Sequence, residues 1–236
     1  MFLCPVLADR LLKLVTSVSL DGITLPDGVR VLDPLRGDNS PEVERIVHDF
    51  HRKYFSDDRP RKLMLGINPG RLGAGSTGLC FTDTKRCESD LGIPVNGFRT
   101  HEPSSDFFYR VVRAMGGAQA FYGDVYVQAI CPLGFTKAGP KGSPVNLNYY
   151  DDRALQEAIT PFVVAWLKKL TATGMRTDNV FCIGTGKNLA YLEALNAEHH
   201  FFEHITALEH PRFIMQYKAK HVEAYVGKYA AALSGR

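Results

Sequence analysis

The stretch Lys62–Phe81, KLMLGINPGRLGAGSTGLCF, concentrates residues whose types and spacing suit chemistry. Apolar residues run to Ile67. Asn68-Pro69-Gly70 then breaks the run and opens a loop carrying Gly70, Gly73, Gly75 and Gly78. Proline disfavours the α region for the residue before it, so Asn68 is expected to stay extended, with its amide aimed off a strand tip. Gly70 lets the backbone approach a ligand closely, and Phe81 returns after the loop in position to stack on a flat ring. His210-Pro211 has the same grammar near the other end of the chain. A histidine leaves an apolar run, proline turns the chain, and RFIMQYK mixes basic with bulky apolar residues. An amide and an imidazole at two strand exits narrow the choice of chemistry, although each alone is also an ordinary turn or cap residue.

Two other patterns compete. Gly73–Gly78, GAGSTG, matches G-x-G-x-x-G, but a dinucleotide fold needs that motif directly after the strand and opening a helix. Here Asn68 to Leu72 intervene, and the following LCFTDTKRCESDLGIPVNG reads as non-helical. No G-K-[ST] is present. His200-Phe201-Phe202-Glu203-His204 matches H-x-x-E-H, a zinc-hydrolase pattern that requires a helix. This segment alternates as a strand does, and residues four apart in a strand stand ~13 Å from each other, too far to share one ion. No metal site and no cofactor are expected. A nucleotide-binding or zinc-dependent small-molecule hydrolase is the alternative reading.

The elements that must position these groups alternate between strand and helix. Helices are expected at Leu3–Val18, Pro41–Phe55 (capped by Ser40), Ser104–Met115, Asp152–Thr173, Lys187–Asn196 and Lys218–Leu233. Strands are expected at Lys62–Ile67, Val125–Ile130, Val180–Thr185 and Glu203–His210, with a polar loop over Pro132–Asp152. Near-continuous apolar strands separated by helices predict an α/β fold, a three-layer α/β/α sandwich around a mostly parallel four-stranded sheet. Ligands bind such sheets outside the carboxyl ends of the strands, so four loops converge there: 68–81, 131–148, 184–187 and 210–217.

The 236 residues are 45% hydrophobic, enough for a full core, and no run approaches the length of a membrane helix. The N-terminus is apolar but broken by Asp9 and Arg10 and lacks a basic n-region, so no signal peptide is expected. Five scattered cysteines without a C-x-x-C pair read as free thiols. A net charge of +3 permits an anionic partner without demanding one.

GINPGRLGAGSTGLCF resembles the first motif of the uracil-DNA glycosylase superfamily, and is most similar to its SMUG type, G-[MI]-N-P-G-x-x-G-x-x-x-T-G-x-x-F. Asn68, Pro69, Gly70, Gly73, Thr77, Gly78 and Phe81 fall in place. HPRFIMQYK, His210–Lys218, is similar to the second motif, and VYVQAICPLGF, Val125–Phe135, to the middle strand and its exit. The resemblance covers about Lys62 to Tyr217 and points to the bacterial second SMUG branch. It implies a single glycosylase domain over 1–236, with a helical part over 1–60 and a motif-bearing core over 61–236. It also implies a cytoplasmic, nucleoid-associated, monomeric enzyme of base excision repair acting on DNA. Catalysis would rest on Asn68, holding the attacking water, and His210, donating to the departing base. Ile67, Gly70, Phe81 and Ala129 would bind the base. Arg71, Lys137, Lys141, Arg212 and Lys218 would hold phosphates, and Phe213 and Ile214 would wedge into the gap left by the extruded nucleotide. One departure stands out: the animal enzymes carry an asparagine in the middle motif that reads the uracil edge, and this chain has Ala129 there. Base selection would then fall to backbone groups, Asn146 or Asn148, and xanthine and hypoxanthine become plausible substrates beside uracil.

Overall fold

The computed structural model describes residues 6–235, except the side chain of Lys141. Part of the expected first helix (residues 3–5) and Lys141 as a phosphate contact therefore lie outside the described atoms. The chain begins with α1 (Leu7–Thr16), a short strand β1 (Arg30–Leu32) and α2 (Ser40–Tyr54). The central strand β2 (Lys62–Gly66) follows, and then α3 (Ala74–Thr77), α4 (Thr84–Ser89), α5 (Pro103–Ala114) and α6 (Ala118–Tyr122). Next come β3 (Val125–Ala129), β4 (Gly134–Ala138), β5 (Pro144–Leu147), α7 (Arg153–Thr171), β6 (Asn179–Ile183) and α8 (Lys187–His199). The chain closes with β7 (His204–Leu208), α9 (Pro211–Tyr217) and α10 (Val222–Ser234).

Four strands form one sheet in the order β3-β2-β6-β7, with every pair parallel. Leu63, Met64 and Leu65 of β2 are all fully buried, as are Val180, Cys182 and Ile183 of β6. Successive strand side chains point to opposite faces, so burial of consecutive residues requires helices on both sides. That is the three-layer α/β/α arrangement. From β2 the next strand, β3, lies on one side and β6 on the other. The switch point between β2 and β6 opens a crevice at the strands' carboxyl ends, where α/β sheets bind ligands. No helix among the described residues is long and apolar enough to cross a membrane.

Several segments differ from the sequence reading. The stretch expected as a polar loop, Pro132–Asp152, contains the hairpin β4–β5, which pairs antiparallel with β1 to form a second, three-stranded sheet. Phe135 and Leu147 face its buried side, but the strands are too short for a clear alternation. The region after the glycine loop contains α4, started by Asp83, whose Oδ1 accepts the Arg86 N–H. The Ser40 cap is displaced too: α2 begins at Ser40, with Asn39 before it. The helix expected from Ser104 begins at Pro103, the favoured proline position of a first turn, with Glu102 preceding it. It stops at Gly116-Gly117, both in left-handed backbone at φ 94° and 88°. The loop expected over 212–217 is the helix α9, so the closing helix starts later, at Val222.

Candidate active site

Asn68 leaves β2 two residues past its end. Its Oδ1 accepts the Tyr149 N–H at 3.1 Å, and its Nδ2 donates to the Leu147 carbonyl at 3.2 Å. Only one orientation of the amide satisfies both partners, so the end of β5 fixes which atom lies where. Oδ1 keeps a second lone pair, while Nδ2 also reaches the Pro69 carbonyl at 3.5 Å. The sheet ladder runs past the end of β3, with Ile130 N–H on the Gly66 carbonyl (3.0 Å) and Cys131 N–H on that of Ile67 (3.1 Å). The register sets Ala129 opposite Gly66, just before Ile67 and Asn68.

His210 precedes α9 and caps it: its Nδ1 accepts the Arg212 N–H at 3.1 Å. With Nδ1 engaged as an acceptor, the ring proton sits on Nε2. Burial, reinforced by the Arg212 charge, lowers the imidazole pKa to about 4. His210 is therefore a neutral donor at ordinary pH. Its ring meets that of Phe81, with centroids 5.7 Å apart and planes at 59°. Phe81 stacks on Phe108 at 5.3 Å and 23°. It also holds φ at 52°, a left-handed conformation costing ~1–3 kcal/mol for a residue with a side chain, of the kind that persists at functional sites. Gly66 makes room for this ring: a Cβ there would lie 3.1 Å from Phe81 Cζ.

These groups face one cavity of about 550 Å³ at the carboxyl ends of the strands. Ile67, Asn68, Gly70, Phe81, Ala129, His210, Arg212 and Phe213 all line it. Arg71, Lys137 and Lys218 are exposed but lie outside its wall. Ile214 is a correction. It is fully buried in the core, because neighbouring residues of a helix point about 100° apart and Phe213 takes the outward side. The exposed partner of Phe213 is Tyr217, one turn on, with ring centroids 5.5 Å apart.

A family model of the uracil DNA glycosylase superfamily matches residues 52–234. The chain belongs to the uracil DNA glycosylase superfamily. It is 43% identical to the wild-type SMUG2 of Pedobacter heparinus, whose crystal structure superposes with a TM-score of 0.94 over 98% of each chain. No curated protein matches. Family and structural likeness together make this a DNA glycosylase of the SMUG type, an enzyme that removes uracil from DNA.

The other motifs serve the glycosylase differently. A Cβ on Gly73 would lie 2.0 Å from Glu102 Oε2, and one on Gly78 would lie 2.5 Å from Val47 Cγ2. The glycine loop is thus pressed against its own protein. His200 ends α8 in left-handed backbone and His204 opens β7, so H-x-x-E-H does not share a helix. Among the described residues no group of three His, Cys, Asp or Glu is placed to hold a metal. The cavity also gathers residues that sequence reasoning passed over, among them Cys80, Glu102, Tyr150, Lys187 and Tyr217. Burial raises the Cys80 thiol to about 12 and the Tyr150 phenol to about 12, so neither ionises at ordinary pH. Lys187 lies 5.9 Å from the Tyr150 ring centroid. Nothing local marks these residues, because loops distant in sequence bring them together.

Proposed function

We propose that the glycosylase excises uracil together with the deaminated purines hypoxanthine and xanthine, using Asn68 and His210 on a base stacked against Phe81. The single observation carrying this reading is that the Asn68 amide, the neutral His210 and Phe81 line one cavity. A base inside a duplex is unreachable and must rotate out, at a cost of a few kcal/mol. The exposed pair Phe213 and Tyr217, at the cavity rim, fits a wedge that fills the gap. Stacking of the extruded base on Phe81, which lines the cavity, is worth ~1–3 kcal/mol.

Cleavage of the N-glycosidic bond leaves positive charge on the sugar and negative charge on the base. The second Oδ1 lone pair of Asn68 holds the attacking water. The Nε2–H of His210 donates to the base oxygen where charge grows, and a donor aimed at developing charge gives ~3–4 kcal/mol. Arg71, Lys137, Arg212 and Lys218 serve as phosphate contacts, which is consistent with their exposure.

Ala129 supports the wider substrate range. Its N–H is held by Gln128 Oε1 (2.9 Å) and its carbonyl by Trp166 Nε1 (3.2 Å), so its backbone does not read the base. Its methyl leaves space where an asparagine would stand. Asn146 uses Oδ1 to accept the Arg71 N–H, leaving Nδ2 to donate. Asn148 uses Nδ2 on Asp151, leaving Oδ1 to accept. A donor and an acceptor suit the carbonyl and ring N–H shared by uracil, hypoxanthine and xanthine. The chain works as one unit: α2 reaches the sheet through His51 Nε2 and Tyr126 Oη at 3.2 Å. The enzyme is proposed to act as a monomer at the nucleoid. The test is abasic-site formation on oligonucleotides bearing each base. Release of uracil alone would remove the purine part of the reading.

A further inference from the structure

We infer that Glu102 is the general base of the reaction, taking the proton of the water held by Asn68. This rests on the glycosylase reading above and adds a catalytic group to it.

The hydrolysis must place a proton somewhere. Water bonds to C1′ through its oxygen, the C1′–N bond breaks, and its electron pair leaves on the base. Asn68 cannot accept the proton, because a side-chain amide is protonated only in strong acid. His210 already carries a proton on Nε2 and commits Nδ1 to the Arg212 N–H. Among the other carboxylates of the cavity wall, Glu209 is tied through both oxygens to Lys228, at 2.8 and 3.0 Å. That leaves Glu102.

Glu102 stands before α5, and its backbone N–H is fixed by Asp83 Oδ2 at 2.9 Å. Its carboxyl group leans over the loop that begins at Asn68. A Cβ on Gly70 would meet Glu102 Oε1 at 3.8 Å, and one on Gly73 would overlap Oε2. The absence of a side chain at Gly73 is what admits the carboxyl group, whereas a Cβ on Gly70 would merely touch it. Oε2 is buried and has no hydrogen-bond partner among the described residues. A buried, unsatisfied carboxylate oxygen costs stability. Such a cost is characteristic of a group kept for its chemistry.

The charges around it agree. Asp83, itself fully buried and held by Ser105 Oγ and the Arg86 N–H, stands beside it. Arg212 from α9 acts in the opposite sense, the Cys80 thiol is neutral, and His101 is engaged with Asp83 at 3.3 Å. Arg71 in the glycine loop is exposed and turned to solvent. Burial first, and then Asp83, raise Glu102 to about 7. A general base works best with its pKa near the working pH. The step balances: the water proton passes to the Glu102 carboxylate, the hydroxyl stays on C1′, and the proton is then returned to the departed base anion.

The test is the single-turnover rate of abasic-site formation on a single-stranded uracil oligonucleotide, measured across pH for wild type and Glu102→Gln. Wild type should rise about tenfold per pH unit below ~7 and level off above it. Glu102→Gln should lose about 100-fold or more at the plateau and lose that rise, while oligonucleotide binding is retained. Removing a carboxyl group raised from 4.5 to about 7 should also relieve a cost that grows as pH climbs through that window. The variant should therefore melt no lower than wild type at alkaline pH. A wild-type rate independent of pH through this range would overturn the assignment even if the variant fails to fold. A variant with an unchanged rate and profile would overturn it as well. Wild-type protein that forms no abasic site on any base would instead overturn the glycosylase reading itself.

Discussion

Asn68→Ala separates a water-holding amide from a clamp that merely ties β2 to the end of β5. The substitution deletes two hydrogen bonds, to Leu147 and Tyr149, each spanning about 80 residues of sequence. Each bond contributes roughly 0.5–1.5 kcal/mol net, so the expected loss of stability is about 1–3 kcal/mol. For a chain of this size each kcal/mol shifts the melting temperature by about 2–4 °C. A loss near 2 kcal/mol thus lowers it by about 4–8 °C, which still leaves a folded protein at room temperature. Turnover should fall much further, by 100-fold or more, because a water displaced by about 1 Å from its attacking position costs about that factor. Single-turnover abasic-site formation on a uracil oligonucleotide, a thermal melt and single-strand binding by fluorescence anisotropy would be measured on the same preparation. Binding should survive, since Phe81, Arg212 and Phe213 are untouched. A melting temperature lowered by several degrees with turnover close to wild type would refute the reasoning and leave Asn68 as a structural tie.

Other perturbations address the remaining parts of the site. Because His210 and His51 are both held near 4 in the folded chain and near 6.5 when unfolded, the unfolded state binds more protons between those values. Stability should therefore decline as pH drops from about 6.5 toward 4, and His210→Gln should soften that decline in a melt series. An imidazole resonance of His210 titrating with a midpoint near 6.5 would contradict its neutral role. Ala129→Asn should raise the preference for uracil over hypoxanthine, measured as a ratio of rates, and an unchanged ratio would exclude that wall from base selection. Ile214→Ala should cost about 2–5 kcal/mol of stability as a core truncation, seen in denaturant unfolding. Phe213→Ala should instead spare stability and slow excision from duplex more than from single strands.

Local sequence sufficed for the strand exits. Asn68 before Pro69 and His210 before Pro211 are legible because proline constrains its immediate neighbour wherever it occurs. The four sheet strands were legible because runs such as Leu63–Leu65 are buried on both faces. The hairpin β4–β5 was not, since its pairing with β1 joins residues about 100 positions apart and its own alternation is brief. Helix α9 reads as a loop in the sequence because its seven residues open with Pro211 and carry mixed polarity. That misreading placed Ile214 on the DNA side, when helical geometry turns it inward.

The identity of the reacting groups belongs to the sequence alone, because an amide, an imidazole and a phenylalanine ring carry their chemistry into any fold. Their states belong to the tertiary structure. Leu147 and Tyr149 set the direction of the Asn68 amide, and burial beside Arg212 removes the His210 charge. The glycine loop and Asp83 convert Glu102 from an ordinary helix-start carboxylate into one poised near neutrality. Hydrogen-bond partners and desolvation depend on what surrounds a group in space, and that is assembled only when distant segments pack together.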